Sequence, residues 1–260
     1  MSGSFRVDCE ALAGGGRLAR LTIDNRKKLN TLNRELMSEM VAAMAELAAD
    51  PELRLAVATG AGGRAFVGGA DLAELAALDA QSAEDLIRLV HRTCDAFRRL
   101  PVPVIARIEG YALGAGLELA CACDLRVASR DAKFGMPEVG IGIPSVVEAA
   151  LLPSIVGAGR ARRLLYTGEM IDAATAEAWG LVDIVAPAGA LDAAVDSLAR
   201  PILAAGPRAI RIQKALIHDW EELPTSAAVE RGIAAFVSAH LSEEPRRMAE
   251  AALARLRARR

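Results

Sequence analysis

Hydrophobic and polar positions change period several times along the first two thirds of the chain. Residues 5–24 form two short β-type runs around a GGG turn at residues 14–16, which predicts a hairpin. Leucine and methionine then recur at helical spacing between residues 32 and 47, and LRLAVATG at residues 53–60 has the pattern of a buried strand. Such alternation of strand and helix favours parallel strands with right-handed crossovers, an α/β fold.

The last third of the chain has a different pattern, which is helical almost throughout. The helical periodicity runs from about residue 190 to the end, with breaks near Pro207, Pro224 and Pro245. This segment is too apolar to be a linker, so it must pack on the domain, on a partner subunit or on both. We therefore predict a core domain at residues 1–190 and a helical region at residues 191–260.

Composition and charge indicate which kinds of molecule and compartment this chain is suited to. The chain has 260 residues and a net charge of −2, without a basic stripe, so nucleic-acid binding has no electrostatic support. No apolar run reaches the roughly 18 residues of a membrane span, and the first ten residues lack the pattern of a signal peptide. We expect a soluble protein of the cytoplasm.

The number and spacing of the cysteines are consistent with a cytoplasmic protein and do not predict a metal site. Four cysteines in a chain of this length make no disulfide framework, so reduced thiols are expected. His91 and Cys94 have the spacing of half a metal site, but no second pair completes it. We predict no metal ion.

Two glycine-containing loops share one design. GGAD at residues 68–71 and GAG at residues 114–116 each follow an apolar strand and precede a helical run. If the two strands are neighbours in one sheet, both loops open at the same edge, and one backbone N–H from each can meet a single oxygen atom. This arrangement is an oxyanion hole, and backbone donors explain why these positions need no polar side chain.

Two glutamates accompany these loops. Glu118 falls in the first turn of the helix after the GAG loop, where the helix dipole favours an anion, and Glu138 lies on the loop after the next strand. Paired carboxylates around one centre can divide general acid and base work. The alternative is that both are ordinary exposed carboxylates beside tight strand-to-helix turns, and spacing alone does not exclude it.

Two other chemistries fit less well. A dinucleotide-binding GxGxxG motif would need a third glycine where Leu119 stands, and no ribose-binding acid follows it at a convincing position. A serine hydrolase would need a GxSxG elbow, which is absent.

Three motifs in order resemble the crotonase family, the enoyl-CoA hydratase/isomerase superfamily. They are FVGGADL at residues 66–72, IEGYALGAGLELACACDLRVAS at residues 108–129 and KFGMPEVGIGIP at residues 133–144. The similarity runs from about residue 5 to residue 185 and weakens over the final helices. Linked motifs at matching separations are far more specific than a single glycine loop.

The resemblance implies a fold, an assembly and a set of site residues. The fold would be a spiral of ββα units with a helical C-terminal region that forms trimers, which often pair into hexamers. The substrate would be an acyl-CoA thioester, with no separate cofactor. The oxyanion donors would be the backbone N–H groups of Ala70 and Ala115, and the catalytic carboxylates would be Glu118 and Glu138.

Having both glutamates favours hydration, the addition of water across the 2,3 double bond of an enoyl-CoA. Glu138 would exchange a proton with Cα, and Glu118 would activate the hydroxyl that is added at Cβ. We expect Glu118 to stay ionised near its helix N-terminus and Glu138 to be the more desolvated. Double-bond isomerisation, thioester hydrolysis and non-catalytic acyl-CoA binding remain as alternatives.

The resemblance also implies contacts to coenzyme A. They would come mostly from backbone around two segments and from lysines near the phosphates. The residues expected to bind substrate are Arg26, Lys27, Lys28, Leu29, Ala70, Asp71, Leu72 and Ala115.

The chain departs from the family pattern at three places. NRKKLN at residues 25–30 lacks the usual proline, and Ala73 stands where a lysine is common. SVVEA at residues 145–149 replaces a glycine-rich run, which leaves the length of the acyl chain open. Within it we expect Glu148 to lie on a helix surface, the alternative being a third carboxylate near the acyl group.

Overall fold

The computed structural model describes residues 3–258, which form two β-sheets and a set of surrounding helices. The strands are β1 Ser4–Ala11, β2 Arg17–Asp24, β3 Leu53–Gly60, β4 Ala65–Val67, β5 Val104–Ile108, β6 Tyr111–Leu113, β7 Leu125–Ser129, β8 Lys133–Gly135, β9 Met170–Asp172 and β10 Ile184–Ala186. The helices are α1 Arg34–Ala48, α2 Leu72–Ala76, α3 Ala80–Arg98, α4 Ala115–Ala122, α5 Leu152–Val156, α6 Ala158–Thr167, α7 Ala173–Ala178, α8 Leu191–Ala204, α9 Pro207–Glu222, α10 Thr225–Ala239 and α11 Glu244–Ala258. Three 3-10 helices cover Arg26–Lys28, Pro137–Ile141 and Val147–Leu151.

The chain alternates between the two sheets. The larger sheet has the order β1-β2-β3-β5-β7-β10 and the smaller has the order β4-β6-β8-β9. The hairpin of β1 and β2 is antiparallel, as predicted, and the strands from β2 to β10 in the larger sheet run parallel. Because β3, β5 and β7 are each followed by one strand of the smaller sheet and then by helix, the chain winds through repeated strand–strand–helix units. The predicted α/β spiral is confirmed.

Both faces of the central strands β3 and β5 are covered, and these two strands are nearly continuous apolar runs. Leu55, Val57 and Ile105 face α8 and pack against Leu191 and Val195. The alternate positions of the same strands point to the opposite face and join the main core with α1, α3 and α4. This packing holds the smaller sheet and the start of α4 in fixed relation to α3.

Helices α9 to α11 bury few side chains. Lys214 and Leu216 are the buried residues of α9, Ala228 is that of α10, and α11 has none among its described side chains. Helix α8 by contrast packs on the larger sheet. The division at residue 190 stays a prediction. None of the helices within residues 3–258 combines the length and apolarity needed to cross a membrane.

Candidate active site

The two glycine-containing loops meet at one edge of the smaller sheet. β4 and β6 are parallel neighbours, so the loops that follow them leave the sheet on the same side. Both loops line a cavity of about 690 Å³, which Glu118 and Glu138 line as well. The sequence reasoning took β3 and β5 as the strands before these loops, because it did not resolve the three-residue strands β4 and β6.

The backbone pairing of Ala70 with Leu32 leaves the N–H of Ala70 unused. Leu32 pairs with Ala70 in an isolated parallel bridge. The Leu32 N–H donates to the Gly69 carbonyl (2.9 Å), and the Asp71 N–H donates to the Leu32 carbonyl (2.8 Å). In a parallel bridge these bonds use the residues on either side of Ala70, so the N–H of Ala70 itself points away from Leu32.

Ala115 supplies a second N–H without a backbone acceptor. It is the first residue of α4, where no earlier helical carbonyl is available. Within residues 3–258, neither Ala115 nor Ala70 donates to a backbone carbonyl outside regular elements. Two main-chain donors thus lie on the wall of one cavity.

Two glycines permit this close arrangement. Gly114 has φ +51°, a conformation that side chains strain, and a Cβ there would collide with the Glu138 carboxylate. A Cβ on Gly116 would collide with the Val67 carbonyl, so only glycine lets α4 begin against β4. The first turn of α4 is therefore pressed between the smaller sheet and Glu138.

Glu118 is the more buried of the two glutamates, with 4% of its surface exposed. All eight residues of α4 are buried, and the Ala149 N–H donates to Glu118 Oε1 (3.2 Å). Burial, and then the nearby charge of Glu138, raises the pKa of Glu118 to about 8. The expectation that the helix N-terminus keeps Glu118 ionised is wrong, because desolvation of a carboxyl inside a fully buried helix outweighs the dipole.

Glu138 lies across Gly114 from Glu118 and is only half-buried. It is the second residue of the 3-10 helix Pro137–Ile141, and Ser145 Oγ donates to its Oε2 (2.7 Å). The expectation that Glu138 is the more desolvated carboxylate is also wrong. Its 3-10 helix follows β8, and Pro137, Glu138 and Ile141 of this helix line the cavity.

Glu148 is buried, which contradicts the prediction of a helix-surface position. Only 6% of its surface is exposed, and its Oε1 lies 2.7 Å from His91 Nδ1 on α3. Sequence reasoning missed this pair because the two residues are 57 positions apart. His91 and Cys94 do not form a metal cluster, and no group of three or more metal-binding side chains occurs within residues 3–258.

The predicted coenzyme A segment reaches the cavity in part. Lys27, Lys28 and Leu29 line it. Arg26 does not, and instead its guanidinium donates to Asp24 Oδ1 (2.9 Å). The segment turns sharply because Leu29 has φ 55°.

Asp71 and Leu72 have different positions in the second loop. The Asp71 carboxylate accepts from the Ala73 N–H and caps α2, and Lys28 Nζ lies 2.6 Å from its Oδ2. Those bonds lower the pKa of Asp71, the Lys28 bond most. Leu72 lines the cavity with 65% of its surface exposed.

Asn30 is a structural residue of the site that sequence reasoning missed. It is 1% exposed, and its side-chain amide donates to the carbonyls of Ala61 (3.0 Å) and Ala65 (2.7 Å). It ties the Arg26–Lys28 turn to the start of β4 and so positions both walls of the cavity. An asparagine followed by threonine carries no signal that would separate this role from an ordinary turn.

A second apolar cavity of about 770 Å³ adjoins the first. It lies between α2, α3 and the segment 141–146 and reaches Leu78 and Ala83. The residues that line both cavities are Leu72, Leu75, Leu86, Ile87, Ile141, Ile143, Pro144 and Val146. The site therefore joins a polar centre at Glu118 and Glu138 to a long apolar compartment.

Comparisons with known proteins point to one family. The family described as Enoyl-CoA hydratase/isomerase matches residues 14–252. The chain is 39% identical to a crotonyl-CoA hydratase from Syntrophomonas wolfei over 204 residues, 78% of each chain. It is 36% identical to a short-chain-enoyl-CoA hydratase from Clostridium acetobutylicum, again over 204 residues and 78% of each chain.

Solved structures give the same result for the fold. A crystal structure of an enoyl-CoA hydratase from Bacillus anthracis aligns with a TM-score of 0.90 and 29% identity, covering 97% of this chain and 96% of that one. The resemblance drawn from the three motifs is thereby confirmed, and the chain belongs to the enoyl-CoA hydratase/isomerase family.

Proposed function

We propose that this protein is an enoyl-CoA hydratase, a hydro-lyase that adds water reversibly across the 2,3 double bond of an enoyl-CoA thioester. One observation carries the proposal: two glutamates and two backbone N–H groups without backbone acceptors line a single cavity. Membership of the family supplies the acyl-CoA class of substrate, and relatives named as hydratases support the reaction.

The two N–H groups would act on the thioester carbonyl. When a nucleophile adds at Cβ, the electron pair of the double bond moves toward this oxygen and produces an enolate. Donors from Ala70 and Ala115 would stabilise the negative charge in a cavity with little water, where such bonds are strongest. Removal of one oxyanion donor typically costs about 10²–10³ in rate.

The glutamate pair would manage the protons. Water addition needs one carboxylate to accept a proton from water and one carboxyl group to deliver a proton to Cα. The raised pKa of Glu118, about 8, means that this pair holds a proton at neutral pH. The product is a 3-hydroxyacyl-CoA, with the oxygen and one hydrogen of water at Cβ and one hydrogen at Cα.

Coenzyme A would lie along the Arg26–Lys28 turn. Lys27 and Lys28 reach the cavity lining and can approach its phosphates, although Lys28 already shares its charge with Asp71. Leu29 and Leu72 would contact the pantetheine arm. Arg26 contributes only if it leaves Asp24.

The assembly we propose is a trimer or a pair of trimers that forms through the C-terminal helices. Helix α10 exposes Val229, Ile233, Phe236 and Val237, an apolar stripe at helical spacing. We also place the protein in the cytoplasm, in keeping with the free, buried thiols of Cys94 and Cys121.

Turnover of enoyl-CoA substrates tests the reaction. The protein is incubated with crotonyl-CoA and longer 2-enoyl-CoAs, and loss of the enoyl absorbance is followed. Glu118→Gln and Glu138→Gln should each lower kcat by orders of magnitude, whereas Glu46→Gln, an exposed glutamate on α1, should not. Shifted double bonds or free coenzyme A among the products would support the isomerase or the hydrolase instead.

Isotope exchange separates the roles of the two glutamates. A saturated acyl-CoA is incubated in D2O, and deuterium entry at Cα is measured by mass spectrometry. If Glu138 serves Cα, as the resemblance implies, Glu138→Gln abolishes exchange and Glu118→Gln retains part of it. The opposite pattern would assign Cα to Glu118.

A further inference from the structure

One short segment contacts both glutamates of the proposed reaction. Ser145 Oγ donates to Glu138 Oε2 (2.7 Å), and the Ala149 N–H donates to Glu118 Oε1 (3.2 Å). The position of residues 145–149 therefore decides where both carboxylates lie. In this chain the segment reads SVVEA and contains no glycine.

The segment has an unfavourable backbone conformation. Val147 has φ +37°, which β-branched residues rarely adopt because Cβ crowds the backbone. Such a conformation persists only where the surrounding structure holds it in place. The next residue along the chain, Glu148, makes the contact that can do so.

Glu148 anchors the segment to α3. Its Oε1 lies 2.7 Å from His91 Nδ1, while its Oε2 is buried with no hydrogen-bond partner within residues 3–258. An apolar side chain would fill the same space without burying a carboxylate that is only half satisfied. A buried carboxylate is therefore a less favourable way to hold this turn than an apolar side chain would be, and we expect its charge to have a role.

The charge of Glu148 acts on Glu118. The groups around Glu148 are His91, Asp95 and Cys94, all on α3. The groups around Glu118 are Glu138, Glu148 itself and Cys121 of its own helix, and Cys94 interacts with both Glu118 and Glu148. A negative charge on Glu148 opposes ionisation of Glu118.

We propose that His91 and Glu148 are positioning residues that hold the turn at residues 146–149, present the Ala149 N–H to Glu118 and help to set its charge. This inference rests on the proposed hydratase function and adds a histidine–carboxylate pair behind the catalytic glutamate. Neither residue lines the cavity, so both act through Glu118 rather than on substrate.

Three variants test the inference by activity. His91→Ala removes the anchor and should lower kcat for an enoyl-CoA about tenfold or more, with KM changed less than about twofold, because misplacement of about 1 Å is costly in rate. Glu148→Gln keeps a hydrogen-bonding group for His91 and should retain kcat within about threefold. Arg92→Gln, an exposed charge change on the same helix, is the control and should leave kcat and KM unchanged.

The pH profile separates a charge effect from a purely structural one. Loss of the negative charge in Glu148→Gln makes ionisation of Glu118 easier, so the limb of kcat/KM assigned to Glu118 should move to lower pH by about half a unit or more. An unchanged profile in Glu148→Gln together with native kcat in His91→Ala would overturn the inference. If the variants lost activity and thermal stability equally and the pH profile of kcat/KM stayed unchanged, the pair would have a purely structural role. That result would also overturn the inference.

A measurement without substrate keeps the two proposals apart. Carboxyl carbons of glutamate are labelled with carbon-13, the Glu118 resonance is identified by its loss in Glu118→Gln, and its titration is followed in the native protein and in Glu148→Gln. A shift to lower pH in the variant supports the inference even if the native protein hydrates no enoyl-CoA. Identical titrations overturn it even if the native protein is an active hydratase.

Discussion

The pKa of Glu118 is determined by the surroundings of its carboxyl group rather than by its position in a helix. Its first-turn position in α4 exposes it to the positive end of a helix dipole, which is worth about 0.3–1 kcal/mol at a surface. Burial of a charged carboxylate costs several times more when its partners are few. The Ala149 N–H is one such partner, and Glu138 and Glu148 oppose ionisation.

This environment predicts how stability depends on pH. The ordinary pKa of a glutamate is 4.5, and that of Glu118 in the folded protein is about 8, so between these values the folded state binds more protons than the unfolded state. The contribution of Glu118 to the free energy of unfolding therefore falls as pH rises through this window. Glu118→Gln removes the ionisable group and should gain stability relative to the native protein by a few kcal/mol from about pH 5 to pH 8.

Urea unfolding at several pH values measures this difference. Glu46→Gln, on the exposed face of α1, is the matched control and should show the same pH dependence as the native protein. A difference between Glu118→Gln and native protein that stays constant with pH would contradict a raised pKa.

Gly114 allows a second prediction at the residue scale. Gly114→Ala introduces a Cβ at φ +51° that collides with the Glu138 carboxylate. We expect a loss of about 1–2 kcal/mol in stability from the backbone alone and a fall in kcat of about tenfold or more as Glu138 is displaced. Gly159→Ala on α6, where a Cβ meets open space, should be neutral or slightly stabilising. Native kcat in Gly114→Ala would contradict the contact between Gly114 and Glu138.

Single residues differ in how far the sequence predicts them. The sequence predicts that Glu118 and Glu138 lie near one centre, because strand-to-helix turns and motif spacing are local signals. The prediction that Glu138 is more desolvated than Glu118 was wrong, since burial depends on packing between distant segments. The His91–Glu148 pair joins α3 to a loop 57 residues later, so no local pattern could reveal it.

At the element scale, α3 and the segment 141–146 shape the apolar compartment. Ile87 on α3 and Ile143 and Val146 of the segment line both cavities, whose volumes are about 690 and 770 Å³, and we call this shared region the passage. An acyl chain longer than that of crotonyl-CoA can extend through this passage. Each buried methylene stabilises the complex by about 0.8 kcal/mol, which corresponds to about fourfold in kcat/KM.

Chain-length preference follows from this arrangement. We expect kcat/KM to rise from four-carbon to eight-carbon enoyl-CoAs, because the added methylenes enter the second cavity. Ile87→Trp fills the passage and should lower kcat/KM for the eight-carbon substrate about tenfold or more while changing crotonyl-CoA little. Arg88→Ala, an exposed neighbour on α3, is the control. Equal losses for both substrates would contradict this path for the acyl chain.

Strands and helices were predicted best where their periodicity is long. Residues 53–60 form β3 as expected, and the helical run near residues 32–47 is α1. The smaller sheet was missed because each of its strands spans three residues, too few for an alternating pattern. The segment Pro137–Ile141 was expected as loop and is a 3-10 helix, which the proline at its start favours.

At the scale of the whole molecule, the C-terminal helices α10 and α11 expose several large apolar side chains. Phe236 is 69% exposed and lies beside Ile233 and Val237 on the α10 stripe. A charge at the centre of an apolar interface is unfavourable unless it is paired. The sequence predicts this region as helical from its apolar pattern, but not which face stays uncovered.

Phe236→Asp should therefore weaken the proposed trimer. We expect light scattering after size-exclusion chromatography to report a trimer or hexamer for the native chain and a smaller species for the variant at low micromolar concentration. Tyr166→Asp changes a comparably exposed aromatic residue on α6 and is the matched control. A monomeric native protein, or an unchanged variant, would contradict assembly through α10.

The proposed stabilisation of the enolate uses main-chain N–H groups rather than side chains. The donors at Ala70 and Ala115 exist whatever side chains those positions carry, since every residue except proline has an N–H to offer. A survey of side-chain replacements would detect Glu118 and Glu138 but would overlook the donors, unless a new side chain closed the cavity. The proposed stabilisation of an enolate would thus depend on the course of the backbone, whereas the proposed proton transfers depend on two side chains.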